Sequence, residues 1–399
     1  MIIRARIVVP MNGDPIEDGA VAVEGNIITS VGRFAAPGTN PATEVLDLGG
    51  HVLLPGLING HCHLDYTLLR GRIPPQQSFA DWIRAINAEK APLTEQNYVD
   101  SINAGFGEAA RFGTTTIANL TAFPKLARNL SARLRTWWFG ELIDIRNPQD
   151  VERIADDAAD SLRTLGEWGL APHAPYTASP ALFAHCEDIT RREKRLLTTH
   201  LAESKEEMAM FRDRSGPVFE FLQAIGRPMD DCGRETPLSL FLRTRAMNQP
   251  WIIAHLNELS PSDFELLAAS PKFHIVHCPR SHTFFGHSSF AIKRLRALGF
   301  NICLGTDSLA SNTDLSLFSE MRELLRKENQ LTARDVLEMA TTNGAAALGQ
   351  RGHLGCIRPG AIADMIALPI SGRDVFQSII DFEGKVPWTM FDGKIRENA

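Results

Sequence analysis

Val52-Leu-Leu-Pro-Gly-Leu-Ile-Asn-Gly-His61-Cys62-His63 is an apolar run that ends in two histidines one residue apart. In extended backbone, residues i and i+2 point to the same side, so both imidazoles can face a single ion. Taken alone, His-x-His is more at home in ordinary polar contacts than in ligation. Its weight depends on whether the rest of the chain builds strands that end the same way.

Beyond Val52 the sequence repeats strand, loop, helix. Gly113-Thr-Thr-Thr-Ile117, Leu196 to Thr199, Trp251 to Ala254, Phe273 to Val276 and Asn301 to Leu304 read as strands. Tyr98, Ile102, Phe106 and Ala109 recur at helical spacing, and Glu203 to Phe211, Phe264 to Ala269 and Leu315 to Arg326 read as helices. This alternation over residues 52–352 implies a parallel sheet with crossover helices. Upstream of Val52 the grain is different. Ile2 to Val9, Ala20 to Val23 and Ile27 to Val31 are short β-branched runs, with Asn12-Gly13-Asp14 and Glu24-Gly25-Asn26 as turns. The tail returns to that grain in Ala363 to Leu368 and Trp388 to Phe391, so both ends are expected to build one small sheet domain.

The strands inside the body deliver polar side chains at their ends. Leu196-Leu-Thr-Thr-His200 is followed by Leu-Ala-Glu203. Trp251-Ile-Ile-Ala precedes His255, Phe273-His-Ile-Val precedes His277, and Ile302-Cys-Leu-Gly-Thr precedes Asp307. Any one of these groups can simply cap a loop, and Glu203 can be a surface residue opening a helix. Five such endings in chain order make a shared site the stronger reading, because an α/β barrel gathers its catalytic groups at that end of its strands.

Composition sets the outer limits. A chain of 399 residues with 44% hydrophobic and 22% charged residues has the make-up of a globular enzyme. The net charge of −6 comes without a long basic block, so no nucleic-acid partner is expected. The first ten residues are too charged for a signal peptide, and no run approaches the roughly 18 apolar residues of a membrane span. Cys62, Cys186, Cys232, Cys278, Cys303 and Cys356 form no CxxC pair, which suits reduced thiols in a cytoplasmic protein.

With these pieces in place, the chain resembles the amidohydrolase superfamily, in its aminohydrolase and chlorohydrolase branch. The resemblance is carried by Pro55-Gly-Leu-Ile-Asn-Gly-His61-Cys-His63, His173-Ala-Pro-Tyr176, His200-Leu-Ala-Glu203, His255, Gly305-Thr-Asp307-Ser308 and the tail Gly355 to Asp364. It implies a TIM-like (β/α)8 barrel at 52–352, with a small β-sandwich domain assembled from residues 1–51 and 353–399. It also implies that His61, His63, His200 and Asp307 bind one divalent metal ion, zinc first and iron or manganese next, which activates a water molecule. Three neutral imidazoles and one carboxylate suit such borderline ions. Two-metal members of the superfamily bridge their ions with a carboxylated lysine after the fourth strand. No lysine ends Thr136-Trp-Trp-Phe139, where Gly140-Glu141 follows, so one metal is expected.

The resemblance further implies that Glu203 carries protons to the leaving group and that His255 polarises the water or steadies the tetrahedral centre. An amine leaves poorly until protonated, which is the need an acid at this place would meet. His173, Trp82, Arg280 and Ser308 are assigned to substrate contact. Two roles stay open for Arg280, a clamp on the substrate or a pair with a structural acid, and the roles of His277 and His282 are also open. The loops Leu69 to Trp82 and His277 to His287 look similar to those of aminodeoxyfutalosine deaminases of menaquinone biosynthesis, relatives of S-adenosylhomocysteine and adenosine deaminases. Asp65 departs from the Glu expected in that group. The expected reaction is hydrolytic deamination of an amino-substituted N-heterocycle in a small molecule, with release of ammonia. A chlorohydrolase, or a guanidine or cyclic-amide hydrolase, is the alternative. A barrel that has lost catalysis would have shed ligands, and all four stand here. The family resemblance hints at a homodimer.

Overall fold

The computed structural model describes residues 1–35, 44–130, 134–146, 148–245 and 247–396. Three strands open the chain, β1 (Ile2–Val8), β2 (Ile16–Glu24) and β3 (Ile27–Arg33), paired antiparallel in sequence order. The link from β2 to β3 is the two-residue turn Gly25-Asn26, with Gly25 at φ 61°, where a side chain would be strained. Then β4 (Val45–Asp47) and β5 (His51–Pro55) both run parallel to β1.

The body follows as β6 (Leu57–Cys62), β7 (Thr114–Thr121), β8 (Arg135–Leu142), β9 (Glu167–Pro172), β10 (Leu196–Leu201), β11 (Trp251–His255), β12 (His274–His277) and β13 (Asn301–Leu304). Each pairs parallel with the next in one eight-stranded sheet. The sheet curls until its first and last strands meet. Cys62 bridges Asp307, and the backbone amides of Thr306 and Asp307 both donate to the His61 carbonyl, at 3.0 and 3.1 Å. The result is the expected (β/α)8 barrel, with helices such as Glu95–Arg111, Pro180–Glu193 and Leu317–Lys327 around it.

Strand residues alternate between two cores. Ile58, Ala118, Phe139, Ile252, Val276 and Cys303 fill the barrel interior, closed from below by Ala345 and Leu348. Their neighbours Leu57, Ile117, Trp138, Ile253, Ile275 and Ile302 face the surrounding helices. Because both faces are buried, these strands read in sequence as unbroken apolar runs.

The chain ends in β14 (Met365–Pro369), β15 (Trp388–Phe391) and β16 (Lys394–Arg396), which join the opening strands in the order β16-β15-β14-β5-β1-β2-β3, with β4 also on β1. In β5 and β14, Leu53, Met365 and Ala367 enter the core of this terminal sheet, whereas Val52, Leu54, Ile366 and Leu368 enter the barrel's outer core. One alternating pattern therefore binds the two units together. The expected boundary at 51/52 falls inside β5, whose residues 51–55 pair with β14. We propose Gly56 as the junction, where the chain leaves one sheet for the other and a Cβ would collide with Thr115 at 2.2 Å.

Candidate active site

The parallel strands all point the same way, so their C-terminal ends open on one face. His61 lies near the end of β6 and His63 just past it. His200 lies near the end of β10, His255 ends β11 and Asp307 follows β13. Between the two histidines, Cys62 turns outward, its Sγ 3.5 Å from Asn119 Oδ1. The strand exits are held in left-handed backbone, His255 at φ 72°, Asp307 at φ 56° and Ala202 at φ 50°. Non-glycine residues adopt this region at a cost of order 1–3 kcal/mol, and such residues cluster at functional sites.

The side chains converge. His63 Nε2 stands 3.3 Å from His200 Nε2 and 3.8 Å from Asp307 Oδ1, and His61 Nε2 stands 3.9 Å from the same oxygen. The ring centroids of His61 and His200 are 4.9 Å apart, and those of His200 and His255 are 5.3 Å apart. Potential ligand atoms of His61, His63 and Asp307 lie within 4.8 Å of one another, as do those of His61, His200 and His255.

Burial, and after it the neighbouring imidazoles, holds the pKa of His61 and His63 well below the ordinary histidine value. Burial lowers His200 as well and takes His255 down to about 3. All four rings are therefore neutral, with lone pairs to offer. Burial would raise the Asp307 carboxyl, but His255, His61 and the Ser281 hydroxyl outweigh it and hold it below its usual value. Ser281 Oγ donates to Asp307 Oδ2 at 2.6 Å, and the Ser308 amide donates to Oδ1 at 2.8 Å.

Glu203 behaves in the opposite way. Burial pushes its pKa well above the ordinary value, and the charges of Asp307 and Glu207 add to that. Its Oε1 is 3.8 Å from His255 Nε2. The turn that carries it is gripped by Glu207, whose two oxygens accept from the amides of Ala202 (3.1 Å) and Glu203 (2.7 Å). Asn257 Nδ2 holds the Glu203 carbonyl at 3.1 Å.

His63, His200, Glu203, His255 and Asp307 line a cavity of about 550 Å³, within the range of roughly 300–1,000 Å³ usual for small-molecule sites. His173, Trp82 and Ser308 stand on its wall, together with Tyr66, Tyr176 and Phe221. His173 Nδ1 meets Thr177 Oγ1 at 2.6 Å. Arg280 is not on this wall. Its guanidinium lies 2.7 Å from Asp314 Oδ1 and also bonds Thr313, so of its two open roles the structural pairing is the one observed. His277 stacks on Phe290 at 4.0 Å, and His282 Nε2 meets the Ser288 carbonyl at 2.8 Å, both away from the cavity lining. Asp65 is turned away too, accepting from Thr121 Oγ1 at 3.1 Å and the Ala122 amide at 2.9 Å.

Sequence reasoning passed over three groups. Ser281 lay inside the His277 to His287 loop without a role of its own. Glu207 could have been found as the partner of Ser204 in Ser-x-x-Glu, the helix-opening signature, and Ser204 Oγ does accept from the Glu207 amide at 3.1 Å. Glu141 was noticed only for not being lysine. It is buried on the cavity wall, its Oε1 3.7 Å from His63 Nδ1, and burial pushes its pKa up to about 8 against the opposing charge of Lys90.

A closed (β/α)8 barrel with histidines and an aspartate gathered at its C-terminal rim, and a sheet made from both chain ends, define a recognisable class. The chain belongs to the amidohydrolase family, whose profile matches residues 52–396. It is 32% identical over 380 residues to a 5-methylthioadenosine/S-adenosylhomocysteine deaminase of Syntrophobacter fumaroxidans, covering 90% of this chain and 81% of that one. Among solved structures it is similar to a zinc-bound adenosine deaminase of Xanthomonas campestris, with TM-score 0.82, 25% identity, and coverage of 99% of this chain and 92% of that one. It shares its fold with the aminofutalosine deaminase of Helicobacter pylori in complex with methylthio-coformycin, with TM-score 0.89, 20% identity, and coverage of 99% and 100%.

Proposed function

We propose that this chain is a metal-dependent hydrolase that removes the amino group from the adenine ring of a nucleoside derivative, releasing ammonia. The observation that carries the reading is the grouping of His61 with His63 and Asp307, and of His61 with His200 and His255, each set with its potential ligand atoms within 4.8 Å, with Glu203 beside His255. Family membership and the deaminase names of its relatives support the same reaction class.

The donor set fits a divalent ion. Both ring nitrogens of His61 are buried with no hydrogen-bond partner among the described residues. Leaving a buried polar group so costs about 1–3 kcal/mol, which ligation removes. His61, His63, His200 and Asp307 would hold the ion, and zinc suits three neutral imidazoles and one carboxylate, as iron also does. When bound, such an ion supplies a water nucleophile at neutral pH by lowering the water pKa from 15.7 towards about 7.

The remaining work belongs to the protein's own groups. Glu203, kept protonated by burial, gives its proton to the ring nitrogen next to the attacked carbon, takes one up from the attacking water and passes that one to the departing amine. His255 Nε2, buried and unpartnered among the described residues, faces the reacting centre from the side of Glu203 and steadies the developing oxygen charge. His173 and Ser308 supply polar contacts to the heterocycle, and Trp82 and Phe79, stacked at 5.9 Å, present an aromatic wall. Six free, buried cysteines support a reducing compartment, and we place the protein in the cytoplasm.

Release of ammonia from adenosine, 5-methylthioadenosine, S-adenosylhomocysteine, aminodeoxyfutalosine, guanine and cytosine, measured on zinc-loaded protein, tests the proposal. Ammonia from at least one adenine nucleoside is expected. Chloride release from a chlorinated triazine with no ammonia from any adenine compound would replace it.

A further inference from the structure

Two of the four proposed ligands have an outer partner that decides which atom faces the cluster. His200 Nδ1 lies 3.0 Å from the His173 carbonyl, so the proton sits on Nδ1 and Nε2 keeps its lone pair. Asp307 Oδ2 is occupied by the Ser281 hydroxyl, which leaves Oδ1 towards His61 and His63. For His63 the corresponding partner is not obvious from sequence. Its Nε2 faces His200 and Asp307, and its Nδ1 points the other way, 3.7 Å from Glu141 Oε1. That oxygen is buried and receives no hydrogen bond from any described residue. Lys90, whose charge acts on Glu141, is held over the Tyr66 ring, 4.8 Å from its centroid.

A carboxyl oxygen without a donor, beside the one nitrogen of His63 that has no other use, calls for a proton between them. We propose that Glu141 is a positioning residue that accepts the Nδ1–H of His63 and so fixes the tautomer whose Nε2 lone pair faces the metal. The separation of 3.7 Å is longer than a formed hydrogen bond, and the proposal requires it to shorten to one in the metal-loaded protein. An acceptor oxygen in this place orients the ring, and loss of such a partner typically weakens metal binding by about 10- to 100-fold. The inference rests on the proposed function only in requiring a divalent ion at His61, His63, His200 and Asp307.

The test is the zinc dissociation constant of metal-stripped protein, measured by competition with a chromophoric chelator, with the visible spectrum of the cobalt form as a second readout. Glu141→Ala is expected to weaken zinc about 10- to 100-fold and to alter the cobalt bands. Glu141→Gln, which keeps an acceptor oxygen, should restore affinity to within a few-fold of wild type, and it also serves if the alanine variant fails to fold. Wild-type zinc affinity and an unchanged cobalt spectrum in Glu141→Ala, or a loss in Glu141→Gln as large as in Glu141→Ala, would overturn the assignment. A raised KM for the nucleoside at unchanged zinc affinity would make Glu141 a substrate contact instead. Tight zinc binding that depends on Glu141, in a protein that deaminates no adenine nucleoside, would sink the proposed function and leave this inference standing.

Discussion

Glu203 and Asp307 carry the same functional group into the same cavity and are held there in opposite states. Nothing donates a hydrogen bond to the Glu203 carboxyl among the described contacts, so the cost of burying its charge goes unrelieved and the proton stays. Asp307 accepts from Ser281 Oγ and the Ser308 amide, and these hydrogen bonds favour its charge despite burial. Two carboxyls with separated protonation states suit the proposed roles of Glu203 as acid and Asp307 as ligand. Glu203→Gln keeps shape and hydrogen-bonding reach but can neither hold nor pass the proton. It should retain metal and lose about 10²- to 10⁴-fold in kcat, the range usual for general acid–base groups. Elemental analysis and ammonia release on the same preparation check both halves, and full turnover would remove Glu203 from the mechanism.

At the scale of strands, the site depends on how closely β6 and β13 approach. Gly305 sits where they meet, and a Cβ there would lie 2.7 Å from the His61 carbonyl and 2.9 Å from Val276 Cγ1. Gly305→Ala must push β13 away from the strand that carries His61 and His63, moving Asp307 with it. Overpacking of this kind costs about 1–3 kcal/mol, so a lower melting temperature together with reduced zinc retention is expected. Unchanged zinc content would mean that the closure tolerates the shift. Much of this level could be read before any coordinates. Strands such as β10 and β11 are buried on both faces and announce themselves as apolar runs, and His200, His255 and Asp307 follow because polar residues just past such runs are conspicuous. Glu141 and Ser281 were not legible in the same way. A glutamate at a strand end and a serine in a loop carry no spacing signature, and their meaning comes only from the 3.7 Å and 2.6 Å contacts that folding creates. Arg280 was ambiguous for a related reason, since Asp314 competes with the cavity for its charge and only geometry names the winner.

The whole molecule is a barrel and a terminal sheet that share two strands' worth of side chains. That both ends form one sheet was visible in their common β grain. The register of β5 on β14, on which the proposed junction at Gly56 rests, was not, because Leu53-Leu54-Pro55-Gly56-Leu57 is apolar on both sides of it. A polar tie reinforces the apolar one. Arg135, the first residue of barrel strand β8, reaches Asp364 Oδ2 at 3.2 Å and Asp392 Oδ1 at 3.3 Å, both acids belonging to the terminal sheet. Asp364 is buried, and the Asp392 amide donates to its Oδ1 at 2.7 Å, so its charge is anchored in place and cannot turn to solvent if the cation is lost. Arg135→Met keeps most of the packing volume and strands that carboxylate. The arginine side chain is 23% exposed, so the penalty is set below the ~3–5 kcal/mol of a fully buried broken pair, at about 1–3 kcal/mol. A lower urea midpoint is therefore expected, with ammonia release unchanged at temperatures well below melting, because no residue of this tie lines the cavity. Arg135→Lys, which keeps the charge but loses the fork, should fall between the two. An unchanged midpoint in Arg135→Met would show that the alternating side chains of β5 and β14 hold the two units together without help.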